Sequence, residues 1–522
     1  MRFFLLCSAL SAIKGYSATS ALPGFSAGLA TSPTKGIRPR ITVRFITTIT
    51  ALISLLLGGC ASFSRDGGFD TVAATSHERI NKDVTWVRGD AEAASVRKSV
   101  EALLASPLTA DQAVQVALLS NPGLQATYAE LGIAEANLVQ AGRLRNPGFT
   151  FLRAHSDEGT RIERTYTFDF ASLIMAPLAT RMEGRRFEQT KLLVTEEVLR
   201  VAADTRKAYF AALAAQEALR YFEQVKIAAE AGSELAQRMA NAGNWSKLDQ
   251  AREQVFYAEA IAQLARAQQT GIAERERLTR LMGLSGADVA FKLPERLPAL
   301  PKDKPDLKDL EPYAIRERLD IRSAQRNAEA LAASLGLTKT TRFINVLDVS
   351  YLRNSEVGGV RESGYEISLE IPLFDWGGAR VAKAQAIYMQ AVDRVAETAV
   401  NARSEVRESY ASYLNAYELA RHYRDEIVPL RRTISEENQL RYNGMLISVF
   451  ELLADAREQV TSVNAYIEAL RSFWLAETEL QRILGGRLPV SLADAGPQAN
   501  PQAPVAPDAA EQSNHQQHQK GK

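Results

Sequence analysis

Side chains able to do nucleophilic, redox or metal chemistry are few in this chain. Its 522 residues include five histidines, His77, His155, His422, His515 and His518, and two cysteines, Cys7 and Cys60. The histidines share no short ligand motif, and two cysteines cannot build a zinc cluster or a disulfide framework. Neither a phosphate-binding loop nor a nucleophile elbow occurs. His422 reads as a surface residue of a long helix. His515 and His518 lie among Gln, Pro and Ala, the composition of a disordered tail, where they would hold a metal only weakly. No catalytic residue, metal site or cofactor is therefore expected, and the chain does not read as an enzyme. With 62 basic and 61 acidic side chains, no basic excess points to nucleic acid.

One thiol does stand in a chemical context. Residues 45–57 read FITTITALISLLL, behind Arg40 and Arg44 and ahead of Gly58, Gly59 and Cys60. A charged region, a short apolar region and small residues at a cleavage point are the order of a secretory leader. Leu57-Gly58-Gly59-Cys60 resembles a bacterial lipobox, in which the cysteine is lipidated and becomes the first mature residue. The plainer reading, a buried cysteine ending an apolar helix, fits poorly with the polar Ser62, Ser64, Arg65 and Asp66 that follow. Residues 1–40 sit awkwardly before this leader, so the translation start is expected to be placed too far upstream. Cys7 is given no function. Ala61, rather than aspartate, favours the outer membrane by resemblance to Gram-negative lipoproteins.

The body must be built mainly of long helices. Val194, Val198, Val201, Thr205, Ala208, Ala212 and Ala215 alternate at spacings of four and three, placing them on one helical face. Val381, Ala384, Tyr388, Ala391 and Val395 repeat the pattern, which weakens at Thr398. Ala456, Val460, Val463, Ile467, Leu470 and Trp474 form a third seam. A continuous helix over residues 379–441 would run roughly 95 Å, with Pro429 expected to kink or interrupt it. Alanine in the seams permits close helix approach, as in a wide tube wall, although an ordinary bundle or scaffold coiled coil shares the pattern.

The plan occurs twice. Asn121-Pro122-Gly123-Leu124 opens one half and Arg318-Leu319-Asp320-Ile321 the other. Each is followed by helix, strand pair, long helix, a glycine-containing turn and a returning helix. The turns contain Gly243 and Gly444. After them the same tetrapeptide recurs, Ala251-Arg252-Glu253-Gln254 and Ala456-Arg457-Glu458-Gln459. Internal duplication of this kind decides the fold ahead of any local motif.

Strands lie between the helices. Tyr365, Ile367, Leu369, Ile371 and Leu373 alternate with Glu366, Ser368, Glu370, Pro372 and Phe374; Tyr166, Phe168 and Phe170 alternate with Thr167, Asp169 and Ala171. Partners are expected at residues 149–154 and 343–352, with joining loops at 155–162 and 353–363. Four such strands, near the length that crosses a bilayer when tilted, cannot close a barrel within one chain. Open edges are excluded in lipid, so several chains must each donate four strands. The blander alternative is two soluble hairpins capping a bundle. Phe374 and Trp376, before Gly377 and Gly378, would sit at the membrane interface in the first case and in ordinary packing in the second.

Taken together, these pieces resemble the outer-membrane efflux channel family typified by TolC, over roughly residues 107–486. The most recognisable are Leu108-Thr109-Ala110-Asp111-Gln112-Ala113, Asn121-Pro122, Ala141-Gly142-Arg143-Leu144-Arg145-Asn146-Pro147, Arg318-Leu319-Asp320 and Ile371-Pro372-Leu373-Phe374-Asp375-Trp376-Gly377-Gly378. The resemblance implies a mainly α fold with a β membrane part: a long helical coiled-coil barrel and a trimeric twelve-stranded β-barrel, four strands per chain. It implies a homotrimer in outer-membrane lipid that works with a periplasmic adaptor and an inner-membrane pump as a passive, gated conduit for drugs, metal ions or other small solutes. The turns at Gly243 and Gly444 would form the periplasmic tip, with Asp249, Glu451 and Asp455 as candidates for an entrance ring that favours cations. The organisation expected is a leader at 1–59, a lipid-anchored tether at 60–106, repeats at 107–286 and 313–486 joined by a linker at 287–312, and a disordered tail at 487–522. The competing reading is a periplasmic coiled-coil scaffold or adaptor lipoprotein without a pore.

Overall fold

The computed structural model describes residues 62–157, 159–302, 307, 309–341, 346–356, 361–370 and 373–486. The leader, Cys60, Ala61, Ile371, Pro372 and the tail with its two histidines lie outside the described residues. The described residues, 62–486, belong to one unit.

Two short helices, α1 (Phe69–Ile80) and α2 (Asp90–Leu104), precede the first repeat. That repeat runs α3 (Ala110–Ser120), α4 (Pro122–Ala141), β1 (Gly148–Ser156), β2 (Gly159–Asp169), α5 (Phe170–Asn241) and α6 (Lys247–Met282). The second runs α7 (Leu310–Glu317), α8 (Leu319–Thr341), β3 (Leu347–Glu356), β4 (Arg361–Leu369), α9 (Gly378–His422), α10 (Val428–Asn443) and α11 (Val449–Ile483). The order of elements is the same in both, except that α9 and α10 together stand where the first repeat has the single helix α5.

The motif residues earn their places as helix starts. Thr109 and Gln112 form a reciprocal capping box at α3: the Thr109 hydroxyl accepts from the Gln112 amide (3.2 Å) and the Gln112 side chain accepts from the Thr109 amide (2.9 Å). Asn121 caps α4 by accepting from the Leu124 amide, with Pro122 in the first turn where its missing N–H costs nothing. The Asn121 side chain also donates to the Leu281 carbonyl (2.8 Å), clamping α4 to the end of α6. In the second repeat Arg318 grips Asp320 with a two-pronged fork (3.0 and 2.7 Å) and reaches Glu405 of α9 (2.6 Å).

The 72-residue α5 would extend about 108 Å. It starts earlier than the alternating pattern suggests: Phe170 and Ala171 are helical because Asp169 caps the helix, accepting from the Ser172 amide at 2.8 Å. The first seam is buried throughout, from Val194 to Ala215. In the second only Ala391 is fully buried; Val381, Ala384, Tyr388, Val395 and Thr398 are half-buried within one chain. The third seam is buried at Ile467 and Leu470, but at its start Ala456 is exposed and Asp455 is buried instead. Residues 379–441 are not one helix. A π-helical turn at Tyr423–Ile427 separates α9 from α10, and Pro429 falls in the first turn of α10. The widened turn accommodates a residue that has no N–H to give and would crowd the carbonyl four positions earlier.

The core lies where both repeats meet: Phe210 stacks on Trp474 (5.1 Å between ring centres), and Phe473 packs against Tyr413 and Tyr417. The stretch between the repeats straps this core from outside. Phe291, Leu297 and Leu300 are buried in it, the Lys292 carbonyl accepts from the Leu108 amide, and the Pro298 carbonyl accepts from the Trp474 indole.

All four strands form one antiparallel sheet of order β1-β2-β3-β4. The strands reach further towards their hairpin turns than the alternation indicates, with β1 paired to Ser156 and β3 to Glu356. At the other end β4 stops at Leu369, short of Leu373. No helix among the described residues is long and apolar enough to cross a membrane.

Two expectations follow. Gly283 ends α6 at φ +66°, and a Cβ there would lie 2.5 Å from the Ser120 carbonyl. Gly283→Ala should therefore cost at least about 1–2 kcal/mol from the left-handed backbone alone, read as a lower denaturant midpoint. Glu479 links α11 to α5: burial would raise its carboxyl, but Arg482 and Lys207 donate to it and hold it down at about 2. The stability this contributes is present above the ordinary glutamate value near about 4.3 and is lost as pH falls towards 2. Burial pushes the nearby Glu477 the other way, so the comparison must be with Glu479→Gln. Between about pH 4.5 and 2.5 the wild-type unfolding temperature should fall more steeply than that variant's.

Candidate functional site

The long helices carry two candidate regions, one at each end. At the helical tip, α5 turns into α6 and α10 into α11. Ser246 and Ser448 cap the returning helices in the same way, their hydroxyls accepting from the amides of Asp249 (3.1 Å) and Glu451 (3.3 Å). In the first turn the left-handed residue is Gly243 (φ +77°); in the second it is Met445 (φ +56°) and not Gly444, which keeps a negative φ. Counted from the two capping serines, Gly243 thus corresponds to Met445. Met445 is 93% exposed and Leu446 beside it is also exposed, so the second turn presents an apolar knob to solvent.

The three carboxylates predicted at the tip differ in setting. Asp249 accepts from the Ser246 hydroxyl (2.7 Å) and lies 3.4 Å from the Arg252 guanidinium. Glu451 is exposed on the first turn of α11. Asp455, one turn later, is 8% exposed and faces the interior of the single chain, its Oδ2 buried without a hydrogen-bond partner. Asp249 and Glu451 hold equivalent positions in the two hairpins, whereas Asp455 belongs to the packed side.

A fourth carboxylate matters more to how the two hairpins hold together. Glu253 is 1% exposed and is ion-paired with Arg457 of the other hairpin, whose guanidinium also lies over the Phe256 ring (4.9 Å). Glu253 and Arg457 come from the two copies of the repeated Ala-Arg-Glu-Gln tetrapeptide. The repeat is legible as duplication, but nothing in its spacing says that the two copies meet. Above this pair, Phe450 sits against Trp245 (6.4 Å) and under Arg252 (5.3 Å). The tip is thus closed within one chain by a buried charge pair and an aromatic–cation clasp.

At the opposite end lies the sheet. Cross-strand register places Phe149 opposite Tyr166, Tyr166 opposite Tyr351 and Tyr351 opposite Tyr365, one aromatic row across all four strands. The rows on its helix side carry Phe168, Val349 and Ile367, then Leu347 and Leu369. Nearly all of these are exposed; Tyr365 is 79% so. The other face carries Thr150, Thr167, Ser350 and Glu366, with Thr167 hydrogen-bonded to Ser350 (3.1 Å). One face is therefore apolar and aromatic, the other polar, and both outer edges, β1 and β4, are unpaired among the described residues. At the sheet's helix end Phe374 is 99% and Trp376 62% exposed, beside the left-handed Gly377. No cluster of three or more metal-ligating side chains occurs among the described residues.

Comparison with known proteins agrees with this geometry. Residues 312–486 match the family model described as outer membrane efflux protein. The cobalt-zinc-cadmium resistance protein CzcC of Cupriavidus metallidurans is 26% identical over 405 residues, covering 73% of this chain and 91% of the relative. The outer membrane protein VceC of Vibrio cholerae shares the fold at a TM-score of 0.60 and 17% identity, over 72% of this chain and 96% of that one. The open state of the MtrE outer membrane channel of Neisseria gonorrhoeae does so at 0.59 and 17%, over 72% and 88%. Residues 312–486 thus carry the pattern of the outer membrane efflux proteins, and the duplicated chain, with its four-stranded, two-faced sheet and long helices, shares the fold of VceC and the MtrE channel.

Proposed function

We propose that three copies of this chain form the outer-membrane conduit of a tripartite efflux system, each copy giving four strands to a twelve-stranded barrel and its long helices to a periplasmic tunnel. The observation that carries this is the sheet: an apolar outer face, a polar inner face and two unpaired edges make sense only when neighbouring copies complete the wall. The half-buried seam of α9 gives the helices a matching surface for the same neighbours. Conduction through such a wall needs no catalytic group, and the energy comes from the pump at the other end. The exposed Met445 and Leu446 suit docking of a periplasmic adaptor at the tip. Cys60 is the proposed lipid attachment, and Phe374 and Trp376 are proposed to lie at the periplasmic membrane interface.

For cargo, divalent metal cations are the favoured class. The relative named for cobalt, zinc and cadmium resistance supports this, as do the carboxylates of the tip. Asp249 and Glu451, each repeated three times by symmetry, would ring the entrance with negative charge and favour cations over anions.

Extraction from outer membranes, cross-linking and single-channel recording test the conduit directly. A cross-linked trimer with cation-preferring conductance is expected, and a soluble monomer that does not conduct would sink the reading. In the same recordings, Asp249→Asn with Glu451→Gln should lower the cation-to-anion permeability ratio severalfold while leaving the trimer intact. Deletion of the gene should raise cellular metal under metal stress if the cargo is cationic. The buried pair gives a separate expectation. Arg457→Met strands Glu253 without a partner and should cost about 3–5 kcal/mol, seen as faster amide exchange at the start of α6 and α11. Adding Glu253→Gln should recover part of that loss.

A further inference from the structure

Beyond the aromatic row, on the side of the hairpin turns, the apolar face changes character. In the next row Arg164 of β2 stands directly opposite Arg353 of β3, flanked by Phe151 and Ser363. One row further, Arg153 of β1 and Arg361 of β4 occupy the outer strands, with Ile162 and Ser355 between them. Arg153, Arg353 and Arg361 are exposed, and the Arg164 guanidinium lies 5.9 Å from the centre of the Phe151 ring. None of the four has a carboxylate within ion-pairing distance among the described residues. The neighbouring Glu163 is on the other face, where Arg161 pairs with it. Like charges opposed across two strands repel. Four guanidiniums that no described side chain neutralises therefore call for an anion from outside the chain.

The placement says what kind of anion. Successive rows on one face are about 6.6 Å apart along the strands, so the arginines stand roughly 7–13 Å beyond the aromatic row. An aromatic row marks the boundary of the hydrocarbon layer, and the next layer holds headgroups. The helices leave from the opposite ends of the strands, so with the helical body in the periplasm these arginines face the outer leaflet. Guanidinium matches phosphate oxygens with paired donors, and its weak hydration suits a site bordered by Phe and Tyr. We propose that this face is a binding site for the phosphate groups of a bis-phosphorylated outer-leaflet glycolipid, one molecule bridging neighbouring strands through Arg164 and Arg353, with Arg153 and Arg361 at its margins. The proposal rests on the reading of the sheet as a barrel wall.

The test uses the full chain purified as its oligomer in neutral detergent, with lipid A, lipid A stripped of both phosphates, and phosphatidylglycerol as probes. Native mass spectrometry and titration should show lipid A binding at least about tenfold more tightly than the stripped lipid, a preference that shrinks with added salt. Arg164→Gln with Arg353→Gln should lose about tenfold of that affinity, whereas Arg161→Gln, on the opposite face, should lose none. Equal binding of the stripped lipid overturns the proposal on the unaltered protein alone, whether or not the double variant folds. Undiminished binding by a folded double variant overturns it too, and phosphatidylglycerol binding as tightly as lipid A overturns the glycolipid assignment. Conductance of the same preparation reports on the channel separately: a conducting wild type without phosphate preference sinks only this proposal.

Discussion

Everything in this molecule answers to the two open edges of one sheet. β1 and β4 each present a row of backbone N–H and C=O groups with no partner among the described residues. In water such edges are a liability managed by charge, proline or cover; in hydrocarbon each unmet group costs several kcal/mol. The sheet does not curl on itself, because four strands are too few to close. Its outer face is too apolar for solvent and its inner face too polar for lipid. The proposed wall of several copies, with lipid outside and water within, satisfies edges and faces together.

Once the wall is shared, the helices inherit its symmetry. Both hairpins turn at the same end of the sheet, so all four connections to helices emerge at the other, and the long helices leave in one direction. The duplication follows from this geometry: each hairpin needs a helix arriving and a helix leaving, and the second repeat supplies the second set. The buried seam of α5 holds one chain together, while the seam of α9 is only half-buried within it. The strap between repeats, with Phe291, Leu297 and Leu300 buried, binds both halves at the level of the aromatic core, where a long bundle without a belt would splay.

Much of this was legible from residue spacing, and each exception has its own physical cause. The first seam reads cleanly because it is satisfied inside one chain, where burial and periodicity coincide. The third fails at its start, where Asp455 rather than Ala456 turns inward: a count of apolar residues cannot see a buried charge. Phe170 and Ala171 looked like strand because their alternation with Asp169 continues, yet one side-chain cap from Asp169 converts the run to helix. At the second tip turn the glycine drew attention to Gly444, but the left-handed residue is Met445. Glycine is a preference for that conformation, and the chain path, counted from the capping serine, overrides it. The pairing of Glu253 with Arg457 was hidden for a different reason, since a repeated tetrapeptide says that two copies exist and not that they touch.

The near-cancellation of 62 basic and 61 acidic side chains conceals a sorting by depth. At the tip, Asp249 and Glu451 stand at equivalent capped positions, Asp249 half-exposed beside Arg252 and Glu451 exposed, so their charge costs little to keep. One turn deeper, Glu253 is buried and tolerable only because Arg457 accompanies it, a pair that sets the register of two hairpins. In the core, Glu479 is held ionised by two cations from two helices. On the sheet the inner face keeps acidic and hydroxyl groups, while the outer face is apolar up to the aromatic row and turns to arginine beyond it. Most of these charges thus sit where their desolvation is met by water or by a partner in the chain, and Asp455, buried with its Oδ2 unpartnered, is the exception. Net charge, which sums across all these layers, is the one quantity that carries no trace of the arrangement.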